Sequence, residues 1–329
     1  MSEKVLITGA TGFVGYHLIN QALLAGLDVY AAVRQQSDTS HLDSIKVSYV
    51  SLDYNSVEGL RDVLEKHQFQ YIIHAAGITK AKDQAVYNKI NAEYSRNLGL
   101  AISNVNYKVK KFVFLSSLAA LGPLKNLSEK LQDKSKAHPV TSYGASKILA
   151  EQYLSEIPGL PIITIRPTAV YGPREKDLFI LFNTINKGLE PYIGNFKQQL
   201  SFVYVVDLAK IVVKALFSEI VGATYNISDG KVYDRYALAF FIRQALGKKT
   251  LKFHLPIAVV NLLASTMELL YSRSKEAPTL NKEKMAELTA VNWACDIQNI
   301  QKDLGYAPFF DLEKGVSETV TWYKSNNWI

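Results

Sequence analysis

The feature that most constrains this 329-residue chain lies at its start. Lys4-Val5-Leu6-Ile7-Thr8 runs into Gly9-Ala10-Thr11-Gly12-Phe13-Val14-Gly15, and an apolar-periodic segment through Leu18, Ile19, Ala22 and Leu23 follows. Each glycine answers a separate demand: Gly9 permits a tight turn, Gly12 lets backbone approach a pyrophosphate, and Gly15 lets helix and strand pack closely. The helix that follows points its unpaired N–H groups at an anion. Such spacing recurs by chance, but here it sits between strand and helix at the start of a βαβ unit. Gly9, Thr11, Gly12, Phe13, Val14 and Gly15 are therefore read as a dinucleotide cradle.

The first half continues the alternation. Asp28 to Val33, Val47 to Val50, Tyr71 to His74, Phe112 to Leu115 and Ile162 to Ile165 are β-branched runs, each followed by a turn or a helix start. That pattern predicts an α/β fold, a doubly wound parallel sheet of the Rossmann type, whose ligands bind at the carboxyl ends of the strands. Past Pro173 the alternation loosens, and helices dominate from Tyr233, punctuated by Pro256, Pro278 and Pro308. The expected organisation is a dinucleotide-binding domain over 1–172, to which about 201–227 returns, interleaved with a smaller, mostly helical substrate domain over 173–329.

Composition excludes several classes. With 48% hydrophobic and 20% charged residues the chain is neither disordered nor fibrous. Its net charge of +7 is scattered rather than clustered, so no nucleic-acid partner is expected. No apolar run reaches the roughly 18 residues of a membrane span. Leu255 to Tyr271 comes closest, and reads as an amphipathic helix covering a core or a substrate pocket, with docking on a membrane surface as the alternative. The lone Cys295 and an amino terminus without a leader pattern suggest a cytoplasmic setting. No metal site is expected, because the six histidines are dispersed.

Two side chains bear on cofactor choice. An acid that selects NAD belongs at the end of the second strand, yet the chain reads Val33-Arg34-Gln35-Gln36-Ser37 there. Arg34 is placed to pair with a 2′-phosphate, which favours NADP over NAD. Asp53, ending the third strand, either lies near the adenine or caps a helix before Ser56.

Proton chemistry has its own signature. Tyr143-Gly144-Ala145-Ser146-Lys147 places a phenol and an ammonium four residues apart on one helix face. A free phenol has a pKa of about 10, and positive charge nearby stabilises its phenolate. Upstream, Phe114-Leu115-Ser116-Ser117 ends a strand where a hydroxyl can meet a substrate oxygen.

Taken together, these features resemble an extended short-chain dehydrogenase/reductase, the superfamily of nucleotide-sugar epimerases, dihydroflavonol reductases and 3β-hydroxysteroid dehydrogenases. The resemblance covers nearly the whole chain. It implies that Ser117, Tyr143 and Lys147 are catalytic, with Ser117 preferred because it lies five residues before Gly122. It also implies that Ser116, Ala75, Ala76, Gly77, Asn91, Pro167 and Val170 line the cofactor with Tyr143 and Lys147, and that Phe202 to Ala209 forms a later strand-to-helix motif. Read locally, His74 is a satisfied core histidine, Asn91 steadies a helix, Asp207 is an N-terminal cap, and Tyr171 and Tyr204 pack with a wet hydroxyl.

Two chemistries share these residues. One is hydride transfer between nicotinamide and a secondary alcohol or ketone of a fairly apolar small molecule. The other is nucleotide-sugar epimerisation (or dehydration) with retained NAD. Nucleotide-sugar members carry an arginine before the strand that here reads Phe202-Val203-Tyr204, where this chain has Gln199-Leu200-Ser201. Arg174, Lys176, Arg235 or Arg273 could replace that charge. The stretch from Pro278-Thr279-Leu280 through Trp293-Ala294-Cys295-Asp296 to Leu304-Gly305-Tyr306 is closer to the hydroxysteroid and flavonol branch. A non-catalytic cofactor sensor is a third reading, disfavoured by retention of Ser117, Tyr143 and Lys147. The helices over 83–105 and 141–157 resemble those that pair in family homodimers.

Overall fold

The computed structural model describes residues 2–271, 278 and 280–329, so Arg273 and Thr279 lie outside the described residues. From the amino terminus come β1 (Lys4–Thr8), α1 (Phe13–Leu24), β2 (Asp28–Ala32), β3 (Ser48–Val50), α2 (Val57–His67) and β4 (Tyr71–His74). Next are α3 (Gln84–Tyr87), α4 (Tyr94–Ser103), β5 (Lys111–Leu115), α5 (Ser142–Ser155), β6 (Ile162–Pro167) and β7 (Ala169–Tyr171). Then follow α6 (Phe179–Asn186), β8 (Leu189–Ile193), β9 (Gln199–Leu200), β10 (Phe202–Tyr204), α7 (Val205–Leu216), β11 (Ala223–Ile227) and β12 (Tyr233–Asp234). The chain closes with α8 (Ala237–Leu246), β13 (Leu251–Leu255), α9 (Ile257–Leu270), α10 (Lys282–Leu288), α11 (Gln298–Leu304) and α12 (Leu312–Ser325).

Seven strands make one parallel sheet in the order β11-β6-β5-β4-β1-β2-β3. The order reverses between β1 and β4, which opens a crevice above their carboxyl ends. Both faces are covered by helices, which is why β4 and β5 read as unbroken apolar runs and are buried along their whole length. Alternate side chains feed two cores: Val5, Ile7, Ile73 and Val113 enter one, while Leu6, Ile72, Phe112 and Phe114 enter the other. β11 joins β6 at the sheet edge although about 55 residues separate them in sequence, matching the expected return of the chain after 201.

The remaining elements build a separate, aromatic-rich core around Tyr171, Phe182, Tyr192, Tyr204 and Tyr323, held by α6, α8 and α12. Beyond it α9 packs its own Val260 and Ala264 in a minimal apolar patch with Met285, flanked by partly buried Ile193, Leu255 and Leu280. The sequence predicts a helix covering a core here, but Leu262, Leu269 and Leu270 are 69%, 73% and 74% exposed. Among the described residues no helix is long and apolar enough to cross a membrane.

A second departure concerns the helix expected over 83–105. It is interrupted by a π-helical turn over Asn88–Glu93, so α3 and α4 are offset by one extra residue in the winding. Apolar periodicity reads straight through such a turn, which is why the sequence shows a single helix.

Candidate active site

The turn after β1 fits its proposed occupant by steric necessity. Gly9 has φ +68°, and a Cβ there would stand 2.5 Å from the Ala75 carbonyl oxygen; one on Gly15 would stand 2.1 Å from the Gly9 oxygen. Only glycine allows β1, α1 and the end of β4 to meet so closely. Gly12 is the N-cap residue of α1 and has no side chain to accept the helix's first N–H groups, so the end faces outward uncapped. A backbone cradle with an open helix N-terminus is what a dinucleotide pyrophosphate requires.

Thr8 locks this turn to the next strand end. Its hydroxyl accepts the Ala76 N–H at 3.1 Å and bonds His74 Nδ1 at 2.7 Å, and His74 Nε2 reaches Ser95 Oγ at 2.9 Å. With both ring nitrogens satisfied, burial pushes the His74 pKa down to about 3, so the ring stays neutral. Burial pushes the Tyr54 hydroxyl up to about 12, and the neighbouring Thr8 hydroxyl opposes that. Nothing in the sequence marked Tyr54.

The π-helical turn delivers Asn91 to the centre. Its Oδ1 accepts the Ile78 N–H at 2.8 Å, and its Nδ2 donates to the Ile78 carbonyl at 3.0 Å and to Ser146 Oγ at 2.9 Å. Ser146 Oγ in turn donates to the Tyr143 carbonyl at 2.7 Å. Asn91 thus ties the loop after β4 to the helix that carries the phenol. The point where a Cβ of Gly77 would stand is 2.9 Å from Asn91 Oδ1 and 3.7 Å from Lys147 Nζ, which places Gly77, Asn91 and Lys147 together.

Thr141 caps α5 by accepting the Gly144 N–H at 3.0 Å, and so fixes the first turn on which Tyr143 sits. Burial pushes the Tyr143 hydroxyl up to about 12, and a hydrogen bond with Ser117 counters part of that. Ser117 itself caps the short 3-10 turn after β5, accepting the Ala119 N–H at 3.2 Å. One helical turn further on, Lys147 is buried: its Nζ donates to the Leu115 carbonyl at 2.7 Å and lies 4.8 Å from the Phe114 ring. Burial pulls the ammonium down to about 8, and the Glu151 carboxylate opposes that pull.

The structure distinguishes the two strand-end serines. Ser116 turns its hydroxyl to the Glu151 carboxylate, whereas the Ser117 hydroxyl accepts the Ala119 N–H and is near enough to the Tyr143 phenol to lower its pKa. Glu151 is also paired with buried Arg166, whose NH1 donates to the Asp133 carbonyl at 2.8 Å. The pair was absent from the sequence reading, although the positions 143, 147 and 151 repeat at four-residue spacing and share a helix face. A second missed residue is Glu283 of α10, which accepts the Ser142 N–H at 3.0 Å and also the Ser142 hydroxyl. It clamps α10 onto the first turn of α5, beside Tyr143.

Pro167 ends β6, and Val170 lies in β7, opposite Val203 of β10. The Gly9–Gly15 turn, Ala75–Gly77, Ser116–Ser117 and Pro167 follow the carboxyl ends of β1, β4, β5 and β6, so one sheet edge gathers them. Arg34 and Asp53 stand apart and exposed past β2 and β3. A cleft of about 350 Å³ lined by Val33, Gln35, Tyr49, Val50 and Ser51 opens beside Arg34. Asp53 does not cap α2: its Oδ1 accepts the Asn55 N–H at 3.0 Å, and Ser56 is the cap.

Two other local readings are corrected. Asp207 sits in the first turn of α7 but caps nothing there; its Oδ2 accepts the N–H groups of Phe309 and Phe310, both at 2.8 Å, and pins that loop. The Tyr171 hydroxyl is buried rather than wet, donating to the Asp311 carbonyl at 3.0 Å. Among the described residues no cluster of histidine, cysteine, aspartate and glutamate could hold a metal.

Comparison with known proteins agrees with this geometry. Residues 5–228 match the model of the NAD dependent epimerase/dehydratase family. The chain is 25% identical to the decarboxylating sterol-4-alpha-carboxylate 3-dehydrogenase of Candida albicans, over 97% of each protein. It is also 25% identical to the ceramide reductase of Caulobacter vibrioides, over 99% of this chain and 96% of that one. The UDP-glucose 4-epimerase of Thermotoga maritima, solved with UDP-glucose, shares the fold at a TM-score of 0.80 and 20% identity, covering 98% of this chain and 99% of that one. An open pyrophosphate cradle, a tyrosine and lysine on one helix turn, and a family match over two thirds of its length identify the chain as a member of the NAD-dependent epimerase/dehydratase family, an extended short-chain dehydrogenase/reductase.

Proposed function

We propose that the protein is an NADP-preferring oxidoreductase that interconverts a secondary alcohol and a ketone on a fairly apolar molecule. The observation that carries this reading is the placement of Tyr143 on the capped first turn of α5, one helix turn from buried Lys147, whose Nζ donates to the Leu115 carbonyl at 2.7 Å, at the sheet edge where the cradle and Ser117 end. A bound nicotinamide supplies the hydride donor or acceptor and, when oxidised, a positive charge beside the phenol. Ser117 orients the substrate oxygen. Tyr143 donates its hydroxyl proton to that oxygen as reduction proceeds and takes it back in oxidation. Lys147, an ammonium below pH of about 8, stabilises the phenolate that Tyr143 leaves behind and returns its proton.

The substrate side favours the oxidoreductase over the epimerase. Before β10, Leu200 stands where a diphosphate-binding arginine is expected, and Ser201 is buried. Two of the four cations that could replace it are engaged elsewhere. Arg235 donates to the carbonyls of Phe196 and Ile193 at 3.0 and 2.5 Å, and Arg174 stacks on Tyr16 at 4.2 Å. Arg235 also lines a cavity of about 510 Å³ with Phe196, Lys197 and Tyr236, but that cavity includes none of Ser117, Tyr143 and Lys147. Two of the relatives are named for a sterol carboxylate and a ceramide, which supports an apolar substrate. For the cofactor, exposed Arg34 at the end of β2 supports recognition of a 2′-phosphate.

The reading is tested by incubating the protein with NADPH and a long-chain ketone, and separately with UDP-glucose. One NADPH oxidised per ketone reduced is expected. Interconversion of UDP-glucose and UDP-galactose without net change in the cofactor would establish the epimerase instead.

A further inference from the structure

The outward face of α9 is apolar and bare. Val260 and Ala264 turn inward, while Val259, Leu262, Leu269 and Leu270 are 45%, 69%, 73% and 74% exposed. Leu262 and Leu269 are seven residues apart and so lie within roughly 20° of each other around the helix. Thr266, between them, donates its hydroxyl to the Leu262 carbonyl at 2.8 Å and so hides its polarity in the helix. The only charged residue of α9, Glu268, is half-buried and accepts the Lys282 N–H at 2.9 Å. Exposed Asn261 and Ser265 are uncharged, and an uncharged face with this many exposed leucines on one helix marks a contact with something apolar.

Charge decides what that contact is. Lys82 donates to the Tyr271 carbonyl at 2.8 Å, at the end of α9, and Lys282 is exposed where α10 begins. Lys82 and Lys282 flank the leucine face and attract an anionic surface, whereas a second copy seated on the same face would bring like charges together across the contact. We propose that α9 docks in the headgroup region of an anionic lipid bilayer, its leucine face down and the surrounding lysines against the lipid phosphates. Its 14 residues span about 21 Å, too short to cross a bilayer, so the helix lies in the interface plane.

The position of α9 gives this docking a purpose. Its inward residues pack on Met285 of α10, and Glu283 of α10 is hydrogen-bonded to Ser142, the neighbour of Tyr143. The bilayer-facing helix therefore stands one helix away from the catalytic hydroxyl. The inference rests on the oxidoreductase reading and deepens it: the substrate is a bilayer-resident lipid carrying a secondary hydroxyl or keto group, delivered without passing through bulk water.

The test uses the full chain and flotation with two kinds of vesicle, pure phosphatidylcholine and phosphatidylcholine with about one quarter phosphatidylglycerol. The wild type is expected to float with the anionic vesicles, to do so less in high salt, and to bind neutral vesicles at least tenfold more weakly. The variant L262E/L269E should lose binding to anionic vesicles at least tenfold while keeping its melting temperature and its affinity for NADPH. Equal binding by wild type and variant overturns the proposal, as does a wild type that stays with the protein-only fraction. A wild type that is dimeric without lipid and becomes monomeric in L262E/L269E also overturns it, in favour of a self-association face. Vesicle binding requires no turnover, so a docked protein that reduces no ketone would refute the oxidoreductase reading and leave the docking intact.

Discussion

The sheet edge and the α9–α10 roof of this molecule are built on opposite terms. At the edge nearly every polar group has a partner within the chain: Thr8, His74, Ser95, Asn91 and Ser146 form a connected set of hydrogen bonds, Lys147 bonds the Leu115 carbonyl, and the side chains around them are buried. On the roof a 14-residue helix buries only its own Val260 and Ala264, against Met285, and shows its leucines to the outside. The edge is complete as a geometric object and needs only a cofactor and a substrate oxygen. The roof is incomplete without something apolar against it. On the proposed function, the chemistry shared across the family belongs to the complete part and the choice of substrate to the incomplete one.

If that division holds, changes at the edge alter turnover and leave bilayer binding alone. The largest effect is expected from Tyr143→Phe, which should lower turnover by about 10²- to 10⁴-fold, with the melting temperature and vesicle flotation unchanged. A variant that kept wild-type turnover of a confirmed substrate would remove Tyr143 from its role. Next, Arg34→Ala should weaken NADPH about tenfold and leave NADH within twofold, measured as the ratio of kcat/KM for the two cofactors. Equal weakening of both would mean that Arg34 does not read the 2′-phosphate.

Lys147 gives two smaller tests with a defined sign. Because its ammonium is pulled down to about 8, reductive turnover should be flat below that pH and fall above it; in Lys147→Arg the falling limb should move up, because guanidinium stays charged. A limb that stayed in place would assign it to another group. Burying the charge also destabilises the fold. The folded lysine releases its proton near pH 8 and the unfolded one near 10.5, so between those values the unfolded chain binds more protons and stability rises with pH. Below pH 8 the penalty is about 3 kcal/mol before the Leu115 hydrogen bond offsets part of it. Lys147→Met should therefore be inactive yet about 2 kcal/mol more stable at pH 7, an advantage that shrinks toward pH 10.5 in denaturant titrations. A destabilised variant would show that the hydrogen bond outweighs the desolvation.

How far each region could be read from sequence follows the same division. Gly9 and Gly15 were legible because a Cβ there would stand only 2.1 to 2.5 Å from a backbone oxygen, so the residue type records the geometry. Tyr143 and Lys147 were legible because helical spacing alone puts them on one face. Arg166 and Glu151, Glu283 and Ser142, and Tyr171 and Asp311 were not: the last two pairings each join residues about 140 positions apart, and no local pattern encodes them. The π-helical turn at Asn88–Glu93 escaped notice for a different reason. It inserts one residue without breaking the apolar run, so the periodicity on either side looks continuous. The exposure of α9 was likewise hidden, since a leucine-rich segment reads the same whether it covers a core or meets a lipid surface.

The central claim is that the cofactor enters, is changed and leaves, with Tyr143 moving the proton. The most direct measurement is to denature the purified protein and identify the small molecules it releases by mass spectrometry, alongside titration of the native protein with NADPH and NADH. The account predicts a protein that releases little cofactor and takes up NADPH reversibly in preference to NADH. Near-stoichiometric NAD that survives dialysis, released together with a nucleotide sugar, would contradict it.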